Sequence, residues 1–386
     1  MTRNMRRRDV LKAAGAGAIA GLCDGLPLGA ATRKSVLVRG AYSSPQPFWD
    51  RGARLDEYGI NAVFVNEGSI QPELIRRVRA EGAKIFAEFP TFNGNYWLTR
   101  REGDREVARE EHAAAWPIDQ TGQRSPRQTW FLGVCPTNET FLQSRLDALE
   151  KLVTTHEIDG VFLDYLHWHA QFEDPNPRLP ETCFNESCVR AFEKESGAKV
   201  CGDGPAEWAK DILSRQEAPW REWRCGVIVN FAERCRKVLE RSARRLILGN
   251  YQCAWRDDEY GGARRRILGL DLARVARVFD VMSPMVYHGR SGHPPQWVED
   301  NVRWLSEKLG LKGHADESLR IWPIVQAWDD PEGARVSPEE FERVLRAGLS
   351  SGATGVQMFT LGAVAANDRK MEVLKRVYGE LKTAEK

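Results

Sequence analysis

From Ser35 onward the chain alternates short, unbroken apolar runs with longer stretches whose apolar residues recur at helical spacing. The apolar runs cover residues 35–40, 61–65, 83–89, 161–163, 246–251, 278–285, 319–326 and 355–359. They lack the polar–apolar alternation of a half-exposed sheet. Strands buried on both faces of a parallel sheet read this way. The stretches between them predict helices, including 48–58, 72–80, 206–215, 220–244, 295–309, 337–349 and 368–381. Pro72 opens one and Gly82 lies just past its end, the asymmetry expected of helix termini. Asn138 is placed to cap another, whose Phe141, Leu142, Leu146, Leu149, Leu152 and Val153 share one face.

Eight strands, each followed by a helix, predict an α/β fold of the (β/α)8 TIM-barrel type. Two stretches interrupt the rhythm, 90–135 after the third strand and 165–199 after the fourth. Segments this long inside a compact domain are expected to be functional or disordered, and the tryptophans in the first argue for function. A doubly wound open sheet fits less well, because no glycine-rich phosphate loop follows the first strand. No internal repeat beyond the βα unit and no linker is visible, so residues 35–386 are expected to form a single domain.

Composition narrows the function. Lys+Arg 56 against Asp+Glu 54 leaves the chain nearly neutral, which argues against nucleic acid or an anionic membrane as partner. No segment has the ~20 consecutive apolar residues of a membrane span. The 13 tryptophans suit platforms for sugar faces, and Trp97, Trp130, Trp168, Trp255 and Trp328 are the candidates. At the N-terminus Arg6, Arg7 and Arg8 precede an Ala/Gly-rich apolar stretch and the small residues Gly29 and Ala30. That pattern resembles a twin-arginine export signal over residues 1–31, which places the protein in the periplasm or outside the cell. Outside that segment the cysteines are scattered. They do not look like a disulfide framework, and an export route for folded chains would not need one. Cys183 and Cys188 form a close pair that would need two more ligands to hold a metal, with His167 or His169 nearest. A free-thiol or structural role is favoured, and neither a metal nor a cofactor is expected.

In such barrels the chemistry sits at the C-terminal ends of the strands. Asp164 ends the fourth strand and is followed by Tyr165, His167, Trp168 and His169. The other strand ends offer Tyr42, Glu67, Glu88, Asn250, Tyr287, His288, Gln326, Trp328, Asp329 and Gln357. The set is rich in carboxylates, amides and rings and poor in basic residues, as a neutral, hydroxyl-rich ligand requires. Glycoside hydrolysis needs two carboxylates, one to protonate the leaving oxygen and one to act as nucleophile or base. Asp164 is the first candidate. Glu88, on a strand, or Asp257 and Asp258, on a loop after the fifth strand, is its partner. Glu67, Tyr165, His167, Trp168, Asn250, Tyr287, His288, Gln326, Trp328, Asp329 and Gln357 are the candidate substrate contacts.

Motifs agree with this placement. Asp159-Gly160 followed by Asp164 resembles the fourth-strand signature of barrel glycoside hydrolases, and Met282 to Tyr287 resembles the sixth-strand segment of family 18 chitinases. Those chitinases carry a Glu where this chain has Leu166, so their substrate-assisted mechanism is not expected. The segments Cys135-Pro136-Thr137-Asn138 to Phe141, and Cys183 to Cys188 and Phe192, are similar to those of a group of bacterial glycoside-hydrolase-like barrels. That resemblance implies an exported enzyme cleaving a poly- or oligosaccharide. Two other readings compete: a barrel that binds carbohydrate without hydrolysing it, and a metal-dependent exported hydrolase built on Asp164, His167 and His169.

Overall fold

The structure is a computed structural model and describes residues 36–330 and 335–384. The export-signal segment, residues 1–31, lies outside the described residues. Eight parallel strands form the barrel: β1 (Val38–Tyr42), β2 (Ala62–Asn66), β3 (Lys84–Pro90), β4 (Gly160–Asp164), β5 (Ile247–Gln252), β6 (Val281–Val286), β7 (Ile324–Gln326) and β8 (Gly355–Phe359). Each pairs with its neighbour in chain order, and β8 pairs with β1, which closes the ring. The seventh predicted strand is split, because Trp322-Pro323 separates the pair Arg320–Ile321 from β7. Proline has no N–H for the ladder, so the break falls there.

Register decides which side chains fill the barrel. Phe64, Phe86, Phe162 and Trp322 interlock inside it, with ring centroids 4.8 to 6.1 Å apart. Such a core leaves no room opposite. A Cβ on Gly249 would stand 2.3 Å from the Phe162 ring, so glycine is required in β5. Above this layer Tyr251 Oη donates to Gln357 Oε1 (2.7 Å). Gln357 Nε2 donates to Ser283 Oγ (3.1 Å), which donates to the Trp322 carbonyl (2.6 Å). Every polar atom in this plug has a partner, as burial demands.

The outer helices follow the predicted faces. Glu139–Thr155 is capped by Asn138, whose side chain accepts from the Phe141 N–H, and all six predicted apolar positions are buried. Ser337 and Glu340 cap Pro338–Ala347 reciprocally. One expectation fails. The predicted helix 48–58 is a single turn, Gln46–Trp49, followed by a 3-10 turn, Asp56–Tyr58. The chain between them turns at Gly52, whose φ of +72 is outside helical space. After β5 come the short helices Ala263–Arg266 and Leu272–Val275, the second at the short helix expected near 271–276. Between β3 and Glu139–Thr155 lie a short helix, Asn95–Leu98, and a hairpin of Thr99–Glu102 with Arg105–Ala108. Between β4 and the helix Glu186–Ser196 the chain has neither helix nor strand. Among the described residues no helix is long and apolar enough to cross a membrane.

Candidate active site

Glu88 and Asp164 end adjacent strands and point into the mouth of the barrel. The alternation of β3 and β4 puts them on the same face as Phe86 and Phe162. Glu88 is buried at 2% exposure. Its Oε2 accepts from Asn66 Nδ2 (2.6 Å) and from Tyr42 Oη (3.2 Å). Burial raises its carboxyl to about 7, against the pull of those two hydrogen bonds. Asp164 is half-buried, and its Oδ1 accepts from the Tyr165 N–H (2.8 Å). Burial, then the nearby charges of Glu88 and Glu173, hold its carboxyl well above the ordinary carboxylate range. No arginine pairs with it in the described structure.

The chain turns sharply after Asp164. Tyr165 sits at φ +54, in the left-handed region, where a residue with a Cβ costs on the order of 1 kcal/mol. Its ring stacks face to face on Phe131 from the first excursion, with centroids 5.2 Å apart. Asp164, Tyr165, Phe131, Trp130, His167, Phe172, Met285 and Glu173 line a narrow cleft. Trp130 is exposed at 39%, with the Arg290 guanidinium 4.4 Å over its ring. Arg290 in turn pairs with Glu173 (3.5 Å) and Asp330 (2.7 Å). Burial raises Glu173 to about 7; Arg290 lowers it and Asp330 raises it.

Glu173 is therefore a second acid on the same cleft as Asp164, and sequence reasoning passed over it. It stands in a proline-rich stretch without periodicity, where the only signal is an acid next to Phe172 shortly after the β4 carboxylate. Across the mouth Tyr42, Phe359, Tyr287 and Trp328 form a continuous wall, each ring within 5.3 Å of the next.

Of the predicted contacts, Tyr165 and His167 line the cleft with Asp164, and Tyr287 and Trp328 belong to the facing wall. His167 is buried and neutral in its usual range, its pKa lowered to about 4 by desolvation. The remaining predicted residues are engaged elsewhere. Asp257 and Asp258 are exposed, and Asp257 pairs with Lys308 (2.7 Å), so neither reaches the cleft. Glu67 is held by Arg145 (2.6 Å). Trp168 is fully buried, donates to the Arg224 carbonyl (3.1 Å), and lies beneath the Arg224 guanidinium. Trp255 is buried, and Trp97 packs on His112 and Phe141. Asn250 follows the opposite face of β5 from Tyr251, away from the mouth. His288 is buried against Glu340 on Pro338–Ala347 (3.4 Å). Gln326 accepts from the Arg290 N–H and donates to the Trp328 carbonyl, so it shapes the loop after β7. Asp329 is tied to Lys370 (3.3 Å) and the Val336 N–H. Gln357 belongs to the plug. His169 Nδ1 accepts from the Gly133 N–H (2.9 Å), and among the described residues His167, His169 and Asp164 do not cluster closely enough to share a metal ion.

No family model matches the chain, and no curated protein matches it. Solved structures do match in fold. The glycoside hydrolase domain of PgaB (BpsB) from Bordetella bronchiseptica is 13% identical, with a TM-score of 0.61, over 88% of this chain and 98% of that one. The catalytic domain of a β-amylase from Paenibacillus polymyxa is 10% identical, with a TM-score of 0.54, over 89% and 98%. A β-galactosidase from the psychrophilic Marinomonas ef1 is 12% identical, with a TM-score of 0.62, over 89% of this chain and 59% of that one. The likeness is to these barrels. At such identities what is shared is the fold: this chain is a (β/α)8 barrel with the architecture those glycoside hydrolases use.

Proposed function

We propose that the protein is a glycoside hydrolase acting on a neutral poly- or oligosaccharide, with Asp164 as proton donor and Glu173 as the second carboxylate. The observation that carries this is the pair of acids on one aromatic-lined cleft at the C-terminal end of a barrel, held in unlike surroundings. Asp164 has no cationic partner and is pushed up, as a general acid working near neutrality needs. Glu173 is raised by burial too, but Arg290 beside it favours its ionised form, which suits the group that meets positive charge developing at the anomeric carbon. Asp164 would give its proton to the glycosidic oxygen as the carbon–oxygen bond breaks. Glu88, beneath them and bonded to Asn66 and Tyr42, is a positioning residue that, when ionised, adds to the burial that raises Asp164. Trp130, Tyr165, Phe131 and the facing ring wall supply stacking surfaces for sugar faces. That the solved structures sharing the fold are described as glycoside hydrolases supports the same reading. The N-terminal arginines support export to the periplasm or beyond.

The test is Asp164→Asn and Glu173→Gln against a panel of polysaccharides, measuring released reducing ends and, separately, sugar binding by calorimetry. Each variant is expected to lose turnover by a factor on the order of 10²–10⁴ while keeping affinity. Undiminished turnover in Asp164→Asn would sink the proposal. Turnover absent from wild type, with binding retained, would favour the non-hydrolytic barrel instead.

A further inference from the structure

Cys135 and the pair Cys183 and Cys188 belong to different excursions, after β3 and β4, yet their sulfurs all lie within 4.8 Å of one another. Cys135 Sγ and Cys188 Sγ are 3.2 Å apart, and all three residues are fully inaccessible. We propose that these three cysteines bind a single thiophilic cation, Zn²⁺ or Cu⁺, as a structural clamp between the two excursions.

The geometry suits a cation better than a covalent bond. Thiolates around a tetrahedral zinc stand about 3.8 Å apart at Zn–S distances near 2.3 Å. A disulfide would unite only two of the three and leave a buried thiol beside it. The surroundings favour negative sulfur. The Ile118 N–H donates to Cys183 Sγ (3.3 Å), and Thr137 Oγ1 lies 3.0 Å from Cys188 Sγ and 3.3 Å from Cys135 Sγ. Cys188 occupies the first turn of Glu186–Ser196, where the helix dipole stabilises a thiolate. A bound cation would displace the remaining thiol protons and satisfy all three sulfurs at once. Among the described residues no histidine or carboxylate joins the cluster, so the donor set is purely soft, which selects for Cu⁺ or Zn²⁺ over harder ions. Thr137 or a water is left to complete a fourth position around zinc; Cu⁺ needs none.

The clamp would matter to the cleft. Phe131 and Trp130 lie just before Cys135, and Glu173 precedes Cys183 on the second excursion.

The full chain, produced in zinc- or copper-supplemented medium and purified without chelator, is analysed for metal, for thiols titrated under denaturing conditions, and for intact mass. One equivalent of zinc or of copper per chain is expected, the two media deciding which. It should be lost in Cys135→Ser and Cys188→Ser and kept in Cys253→Ser, a buried cysteine outside the cluster. If the serine variants do not fold, Co²⁺ exchanged into the wild-type protein should give an intense sulfur-to-metal charge-transfer band. A wild-type chain that neither retains nor takes up any of these ions overturns the proposal, whether its mass is lower by two hydrogens, showing a disulfide, or its thiols are all free.

Discussion

Replacing Glu88 by Gln should make the protein more stable at alkaline pH, although the residue sits beside the site. Gln is nearly isosteric and its Oε1 can accept from Asn66 and Tyr42 as the carboxylate does. What it removes is titration. Burial raises Glu88 from an ordinary 4.5 to about 7, so the fold favours its protonated form. The resulting stabilisation is complete below the unfolded value near 4.5 and is lost as pH rises through about 7. At about 1.4 kcal/mol per pH unit, the gap corresponds to about 3 kcal/mol. Glu88 also raises Asp164, so the variant relieves part of that burden as well. Urea melts of both proteins at pH 4, 7 and 8.5 measure the effect. Glu88→Gln should gain on wild type by about 3 kcal/mol between the lowest and highest pH. A stability difference that stays flat across that range would refute the assignment of a raised carboxyl to position 88.

Three further outcomes follow from the geometry. Arg290→Lys loses the planar fork shared by Glu173 and Asp330, so Glu173 should rise above about 7 and the acid limb of the kcat/KM profile should move up by about one pH unit. Gly249→Ala drives a methyl to 2.3 Å from the Phe162 ring, and thermal melting should show a loss of about 1–3 kcal/mol or more. Ser337→Ala removes one half of the capping box on Pro338–Ala347 and should cost about 1 kcal/mol in urea unfolding, with activity unchanged.

The barrel was legible because a doubly buried parallel strand leaves an unbroken apolar run, and each of the eight strands overlaps such a run. The helix expected over 48–58 was not, because its apolar spacing hides the left-handed turn at Gly52. Strand ends located Asp164 and Glu88 from order alone. Residues on those ends could not be sorted by face, so Asn250 and His288 were grouped with Glu88 and Tyr287, although alternation sends Asn250 to the other side and His288 packs on Glu340. Exposure was no better marked: Trp168 and Trp130 read alike in the sequence, yet one is sealed under Arg224 and the other is open to solvent. Glu173 and the Cys135 contact escaped because both depend on how two aperiodic excursions fold over each other, and nothing local in the chain encodes that.

The hydrogen-bonded plug of Tyr251, Gln357 and Ser283 gives the molecule a natural engineering boundary. Loops above it can be shortened, exchanged or randomised without disturbing the packed rings below, because strand alignment is secured independently at that level. If the protein acts on a polymer as proposed, that polymer would drape across the rim instead of threading inward, and selectivity for chain length would be retuned there, on the two excursions, with the chassis left intact.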